Sequence, residues 1–142
     1  MKFLEADLIK VDVVVESAEE AIQEAGNLLL NANLIEKDYV DAMINSYRKN
    51  GAYFVLAPQI AIPHARPEDG VNEASVSFVK LKEPINFGNE MNDPVQLVFG
   101  LGASNSDEHL ALLRKLTTLL NNSNNVDVLR NAKGYEDIKK LF

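Results

Sequence analysis

The sequence predicts a single domain of the α/β or α+β class, and three observations predict it. Strand-like and helix-like stretches alternate along most of the 142 residues. A β-branched stretch runs almost directly into a capped helix at Ser17. A nearly continuous apolar run over 94–101 has the composition of a strand at the centre of a sheet. A chain of this length supports one sizeable core, so residues 1–142 are expected to form one domain.

The elements follow in order. Residues 8–15 alternate and are rich in valine and isoleucine, which predicts a strand. Ser17 with Glu20 three positions on forms a capping box, and a helix is expected over 18–31 with Ala21, Ile22, Ala25, Leu28 and Leu29 on its apolar face. After a turn, a second helix is expected over 37–49 with Tyr39, Val40, Met43, Ile44 and Tyr47 inward; Asn50-Gly51 ends it in a left-handed stop. Residues 53–57 and 60–62 read as short strands around the Pro58 break, 67–70 as a turn, and 74–81 as a strand. Residues 82–93, with Pro84, Gly88 and a polar cluster, read as a loop before the 94–101 strand. Ser106 is the expected N-cap of a helix reaching Leu120. Asn121 to Asn125 break the pattern, a helix is expected over 126–132, and a short one closes the chain over 135–142.

Bulk properties exclude several functions. The formal net charge of −7 argues against nucleic acid or an anionic membrane surface as the main partner. Without cysteine there is no disulfide, no thiolate nucleophile and no cysteine-ligated zinc. The two histidines lack metal-ligand spacing, so neither a metal nor another cofactor is expected. No apolar run approaches the roughly 20 residues that span a bilayer, and the first residues lack the pattern of a signal peptide. A cytoplasmic protein without membrane insertion is the expectation.

Two stretches carry chemistry. The first, 57–70, holds three of the five prolines and leads to His64, followed by Arg66, Glu68 and Asp69. Proline fixes its own φ and keeps the preceding residue out of helical geometry, so His64 stands on a stiff, non-helical backbone. The second, 102–110, passes from the apolar strand through a polar loop into a helix whose first turn holds His109. Ligand sites in α/β sheets form where strands pass into helix N-termini. A neutral imidazole carries a nucleophilic lone pair near neutral pH. An imidazole pair with an arginine, and no metal set or serine–histidine–acid set, therefore points to a phosphohistidine site. One ring attacks phosphorus; the other ring, the arginine and backbone N–H groups hold the phosphoryl oxygens. With no Gly-rich phosphate loop, the donor need not be a nucleotide. Arg48, in the last turn of the second helix, also suits a plain capping charge there.

The run Ile60-Ala61-Ile62-Pro63-His64 and the block Asp107-Glu108-His109-Leu110 with Leu113 resemble the two histidine motifs of the enzyme IIA components of the bacterial phosphoenolpyruvate-dependent sugar phosphotransferase system, fructose–mannitol superfamily. The likeness extends over nearly the whole chain. Tyr53 to Pro58, together with Pro63 to Val71, looks most like the ascorbate-type proteins. The resemblance implies a three-layer α/β/α sandwich on a central mixed β-sheet. It implies a phosphotransferase in which His64 accepts phosphate from the phosphocarrier HPr and passes it to a cysteine of a cognate enzyme IIB, for uptake of a sugar or ascorbate-like substrate through the membrane enzyme IIC. His109 would stabilise the phosphoryl group. An arginine near the position of Arg48 has a place in mannitol-type proteins, and Arg66 is the alternative. Two other readings compete: a regulatory enzyme IIA-like module that controls a partner, and a binding domain without covalent chemistry, in which both histidines are incidental.

Overall fold

The computed structural model describes residues 1–142 as a mixed five-stranded sheet between two helical layers. The elements are β1 (Lys2–Phe3), β2 (Ile9–Val13), α1 (Ala18–Asn31), α2 (Lys37–Asn50), β3 (Ile60–Ala61), β4 (Ser75–Ile85), β5 (Val95–Gly102), α3 (Ser106–Leu120), α4 (Ser123–Asn131) and α5 (Tyr135–Ile138). Single 3-10 turns lie at Ala6–Leu8, Pro67–Asp69 and Lys139–Leu141. No helix is long and apolar enough to cross a membrane.

β4 and β5 form the antiparallel centre, from Ser75↔Gly102 to Ile85↔Val95. β1 and β2 pair in parallel with β4, and β3 pairs in parallel with β5. Strand side chains alternate between the two faces. Val79, Leu81, Val95 and Val98 pack with α1 and α2, around Ile22, Leu29, Tyr39 and Met43. Val76, Phe78, Leu97, Phe99 and Leu101 pack with α3, α4 and α5, around Leu112, Leu116, Leu129 and Ile138. Two cores back to back on one sheet make the three layers that the resemblance implies.

Local chemistry explains the helix starts. Ser17 Oγ accepts the Glu20 N–H at 3.1 Å, and the Glu20 carboxylate reaches back to the Glu16 N–H, also at 3.1 Å. α3 is capped by Asn105 rather than by Ser106: its side-chain oxygen takes the Glu108 N–H at 2.9 Å, while Glu108 Oε1 accepts from Ser104 N–H. α4 starts earlier than the apolar pattern predicts, because Asn122 Oδ1 accepts from the N–H groups of Asn124 and Asn125. Gly51 closes α2 at φ 77°, a torsion that favours glycine. Buried Lys80 donates to Ala132 O at 2.7 Å, placing a cation at the C-terminal end of α4, and pairs with Asp12 at 3.5 Å.

Two further expectations need correction, and one element is new. Residues 53–57 are not a strand: Asn89 and Asn92 side chains donate to the carbonyls of Ala52 and Val55, so those groups are satisfied by a loop rather than by a ladder. β4 continues through 82–85, residues expected in the loop, because Pro84 lies on an exposed stretch that a proline can occupy. The N-terminus adds the short strand β1, which the sequence pattern leaves unmarked.

Close approach of α1 to the sheet depends on Gly100. A Cβ there would lie 2.6 Å from Ser77 Oγ and 3.1 Å from Ala25 O. Gly100→Ala is expected to destabilise the fold by about 1–3 kcal/mol through overpacking, seen as a lower urea midpoint at unchanged slope. An unchanged midpoint would contradict this packing.

Candidate active site

His64 is built into the sheet edge rather than carried on a free loop. The Ile62 N–H donates to Phe54 O at 2.9 Å, and the Leu101 N–H donates to Pro63 O at 3.2 Å. His64 and Leu101 form a parallel bridge that extends the β3–β5 pairing by one rung. The side chain folds back on its own backbone, with Nδ1 2.9 Å from Ile62 O. A carbonyl oxygen only accepts, so Nδ1 carries the proton and Nε2 holds the free lone pair.

The same strand end delivers the second ring. β5 stops at Gly102, Asn105 caps α3, and His109 follows in the first turn. The rings of His64 and His109 lie 5.0 Å apart between centroids at 61°. Partial burial, with His64 nearby, pushes the His109 pKa below the ordinary histidine value. His109 is therefore a neutral ring at neutral pH, with one N–H to donate.

On its other side His64 borders a cleft of about 550 Å³ whose lining includes Ser46, Lys49, Tyr53, Arg66 and Asp69. The Tyr53 ring stands edge-on to His64 at 6.0 Å, and its hydroxyl is 3.0 Å from Ser46 Oγ. These contributions from the end of α2 and from 53 carry no sequence signal beyond their polar character. The loop that follows β4 fixes this wall: Asp93 accepts from the N–H groups of Phe87, Gly88 and Asn89, while Asn89 and Asn92 donate to the carbonyls of Ala52 and Val55.

The two arginines fare differently. Arg66 lines the cleft, but its guanidinium is committed to Asp69, with Nη2–Oδ1 at 3.1 Å, and lies 3.7 Å from Glu68. That pairing holds the Asp69 carboxyl below its ordinary value, a shift whose largest cause is the hydrogen bond from Arg66. Arg48 is not brought to the histidines. It forms a two-pronged pair with Glu19 of α1, and both border a separate surface hollow. The last turn of α2 turns Arg48 toward the first turn of α1. Lys49 occupies the cleft instead.

Residues 2–142 match the family described as phosphoenolpyruvate-dependent sugar phosphotransferase system, EIIA 2. The chain belongs to this enzyme IIA family. It is 31% identical over 135 residues to the ascorbate-specific PTS system EIIA component of Shigella boydii serotype 4, spanning 94% of this chain and 88% of that protein. Its fold is shared with the mannitol-specific cryptic phosphotransferase enzyme IIA of Escherichia coli, at TM-score 0.86 and 31% identity over 97% of this chain and 93% of that one. It is shared also with the enzyme IIA of the E. coli complex of IIAMtl and phosphorylated IIBMtl, at TM-score 0.85 and 30% identity over 98% and 96%. As an enzyme IIA, the protein is a phosphotransferase component and a phosphoryl carrier of this system.

The lowered His109 pKa has a consequence for stability. Below about 6.5, the ordinary value, the unfolded chain takes up a proton that the folded ring resists. Stability contributed by this group is full above that pH and is lost as pH falls toward the folded pKa. A proton NMR titration is expected to place the His109 midpoint below 6.5, and His109→Gln should flatten the acid side of the stability profile. A midpoint at or above the ordinary value would contradict this environment.

Proposed function

We propose that His64 is the phosphoryl-accepting residue of this enzyme IIA, through Nε2, and that His109 steadies the transferred group. The observation that carries the reading is the bond from Nδ1–H to Ile62 O, which leaves the Nε2 lone pair free beside the second imidazole. The donor is HPr bearing phosphohistidine. Nε2 attacks phosphorus as the nitrogen–phosphorus bond of the donor breaks. The donor ring, protonated on its other nitrogen, departs as neutral imidazole. His64 then carries phosphorus on Nε2 and a proton on Nδ1, so the positive ring charge moves with the phosphoryl group. Ile62 O stabilises that charge, and His109 donates its N–H to a phosphoryl oxygen. In the second transfer a cysteine thiolate of a cognate enzyme IIB attacks phosphorus, and His64 returns to its starting form.

Several features support protein partners for this chemistry. Tyr53 and Leu56 are exposed large apolar side chains close in sequence to the cleft wall, and Leu110 is exposed next to His109. Such side chains suit transient docking. An enzyme IIA of the same fold forms a complex with phosphorylated IIB, and ascorbate-specific relatives match most of the chain. Residues 1–142 then act as one cytoplasmic domain that feeds enzyme IIB and, through it, the membrane enzyme IIC for uptake of a sugar or ascorbate-like substrate.

Transfer of labelled phosphate from phosphoenolpyruvate through enzyme I and HPr tests the roles. Wild type should take label and His64→Ala none. His109→Ala should take label and pass it to enzyme IIB roughly 10²-fold more slowly, the usual effect of losing one oxyanion donor. Labelling of His64→Ala would overturn the assignment. Arg48→Ala should transfer as wild type does, and a large loss there would return Arg48 to the site.

Phosphorylation also places a dianion beside His109, which favours its charged form. The His109 NMR midpoint should therefore rise on phosphorylation. A fixed midpoint would mean that the phosphoryl group points elsewhere.

A further inference from the structure

The hydroxyl of Tyr39 is a polar group inside the larger core, and nothing in the transfer chemistry above uses it. The residue is fully buried. Its oxygen accepts the Ala65 N–H at 3.0 Å, and its proton goes to Leu101 O at 2.7 Å, closer than Ala65 O at 3.3 Å. Burial pushes its pKa up to about 12, so the hydroxyl keeps its proton across the working pH range.

A parallel strand pair would hold His64 by two rungs, Leu101 N–H to Pro63 O and Ala65 N–H to Leu101 O. The first rung is present at 3.2 Å. The second is relayed through Tyr39: Ala65 N–H to the hydroxyl oxygen, and the hydroxyl proton to Leu101 O. Leu101 thereby grips the chain on both sides of His64. The bond from Nδ1–H to Ile62 O spans the torsions of Pro63 and His64. Those torsions are the ones that these two rungs, with the φ of Pro63, hold in place.

We propose that Tyr39 is a positioning residue for His64: its hydroxyl completes the ring of hydrogen bonds that ties both flanks of His64 to Leu101, and so keeps Nδ1–H on Ile62 and Nε2 facing the incoming phosphorus. This rests on the reading of His64 as the acceptor. It adds that the tautomer of a surface imidazole is set from within the α1–α2 core.

The test compares two full-length variants that each lose one buried hydroxyl. Tyr39→Phe removes the relay and keeps the ring that fills the core. Ser77→Ala removes a hydroxyl that bonds α1, through Ala25 O at 2.8 Å, instead of the His64 segment. The readouts are the ring nitrogen shifts of unphosphorylated His64 and the single-turnover rate of transfer from phosphorylated HPr. Wild type and Ser77→Ala should show one Nδ1–H tautomer. Tyr39→Phe should show a mixture and transfer roughly 10- to 100-fold more slowly, the scale of a small misplacement, at unchanged apparent affinity for HPr. Wild-type ring shifts and rate in Tyr39→Phe would overturn the proposal, as would equal effects in Ser77→Ala. In wild type alone, the Ala65 amide should exchange slowly with solvent, and fast exchange would overturn it without any variant. If wild type takes up no phosphate, the acceptor reading fails, while the nitrogen shifts and amide exchange still decide the role of Tyr39.

Discussion

The pairing of the His64 segment with the end of β5 at Leu101 is the constraint on which the rest depends. β5 is held on one side by its antiparallel register with β4 and on the other by β3. Its last residues fix two things at once. The Leu101 N–H and C=O anchor the backbone around His64, directly and through Tyr39, and the exit from Gly102 leads within a few residues to the cap of α3 and to His109. The distance between the two imidazoles is therefore set by a central strand, one of the stiffer parts of a sheet. A site built on rigid elements holds its geometry better than one built on loops.

Charge at the site is arranged for passage rather than for tight holding. The two candidate arginines are committed to carboxylates, Arg48 to Glu19 and Arg66 to Asp69. His109 is kept neutral by partial burial near His64. A carrier must accept a phosphoryl group and then release it, and strong stabilisation of the loaded state would slow the second step. Neutral hydrogen-bond donors and a single lysine, Lys49, in the cleft stabilise the group less than a pair of guanidinium forks would.

The sequence was most legible where local chemistry decides structure. Ser17 and Glu20 mark the start of α1, Gly51 marks the end of α2, the 94–101 run marks a central strand, and Pro63 marks the stiff approach to His64. It was least legible where a distant group supplies the partner. Residues 53–57 have strand-like composition, yet the Val55 carbonyl, like that of Ala52 just before the stretch, is taken by asparagine side chains at 89 and 92, more than thirty positions away. Tyr39 reads as one more inward aromatic of α2; only the fold shows its hydroxyl between Ala65 and Leu101, 26 and 62 positions distant. Arg48 and Arg66 are equally basic in the sequence, and their ion pairs decide that only Arg66 borders the cleft. Legibility thus falls with the sequence separation of the interaction that fixes a residue.

The central claim is that the fold presents one nitrogen of one histidine to phosphorus. Phosphorus–nitrogen coupling in the ¹⁵N-labelled, phosphorylated protein measures this directly. Phosphorus bound to Nε2 of His64, with Nδ1 still protonated against Ile62 O, is the predicted result. Phosphorus on Nδ1 of His64, or on His109, would contradict the account, because the first requires the Ile62 bond to break and the second makes the order of the two imidazoles the reverse of that argued from the geometry.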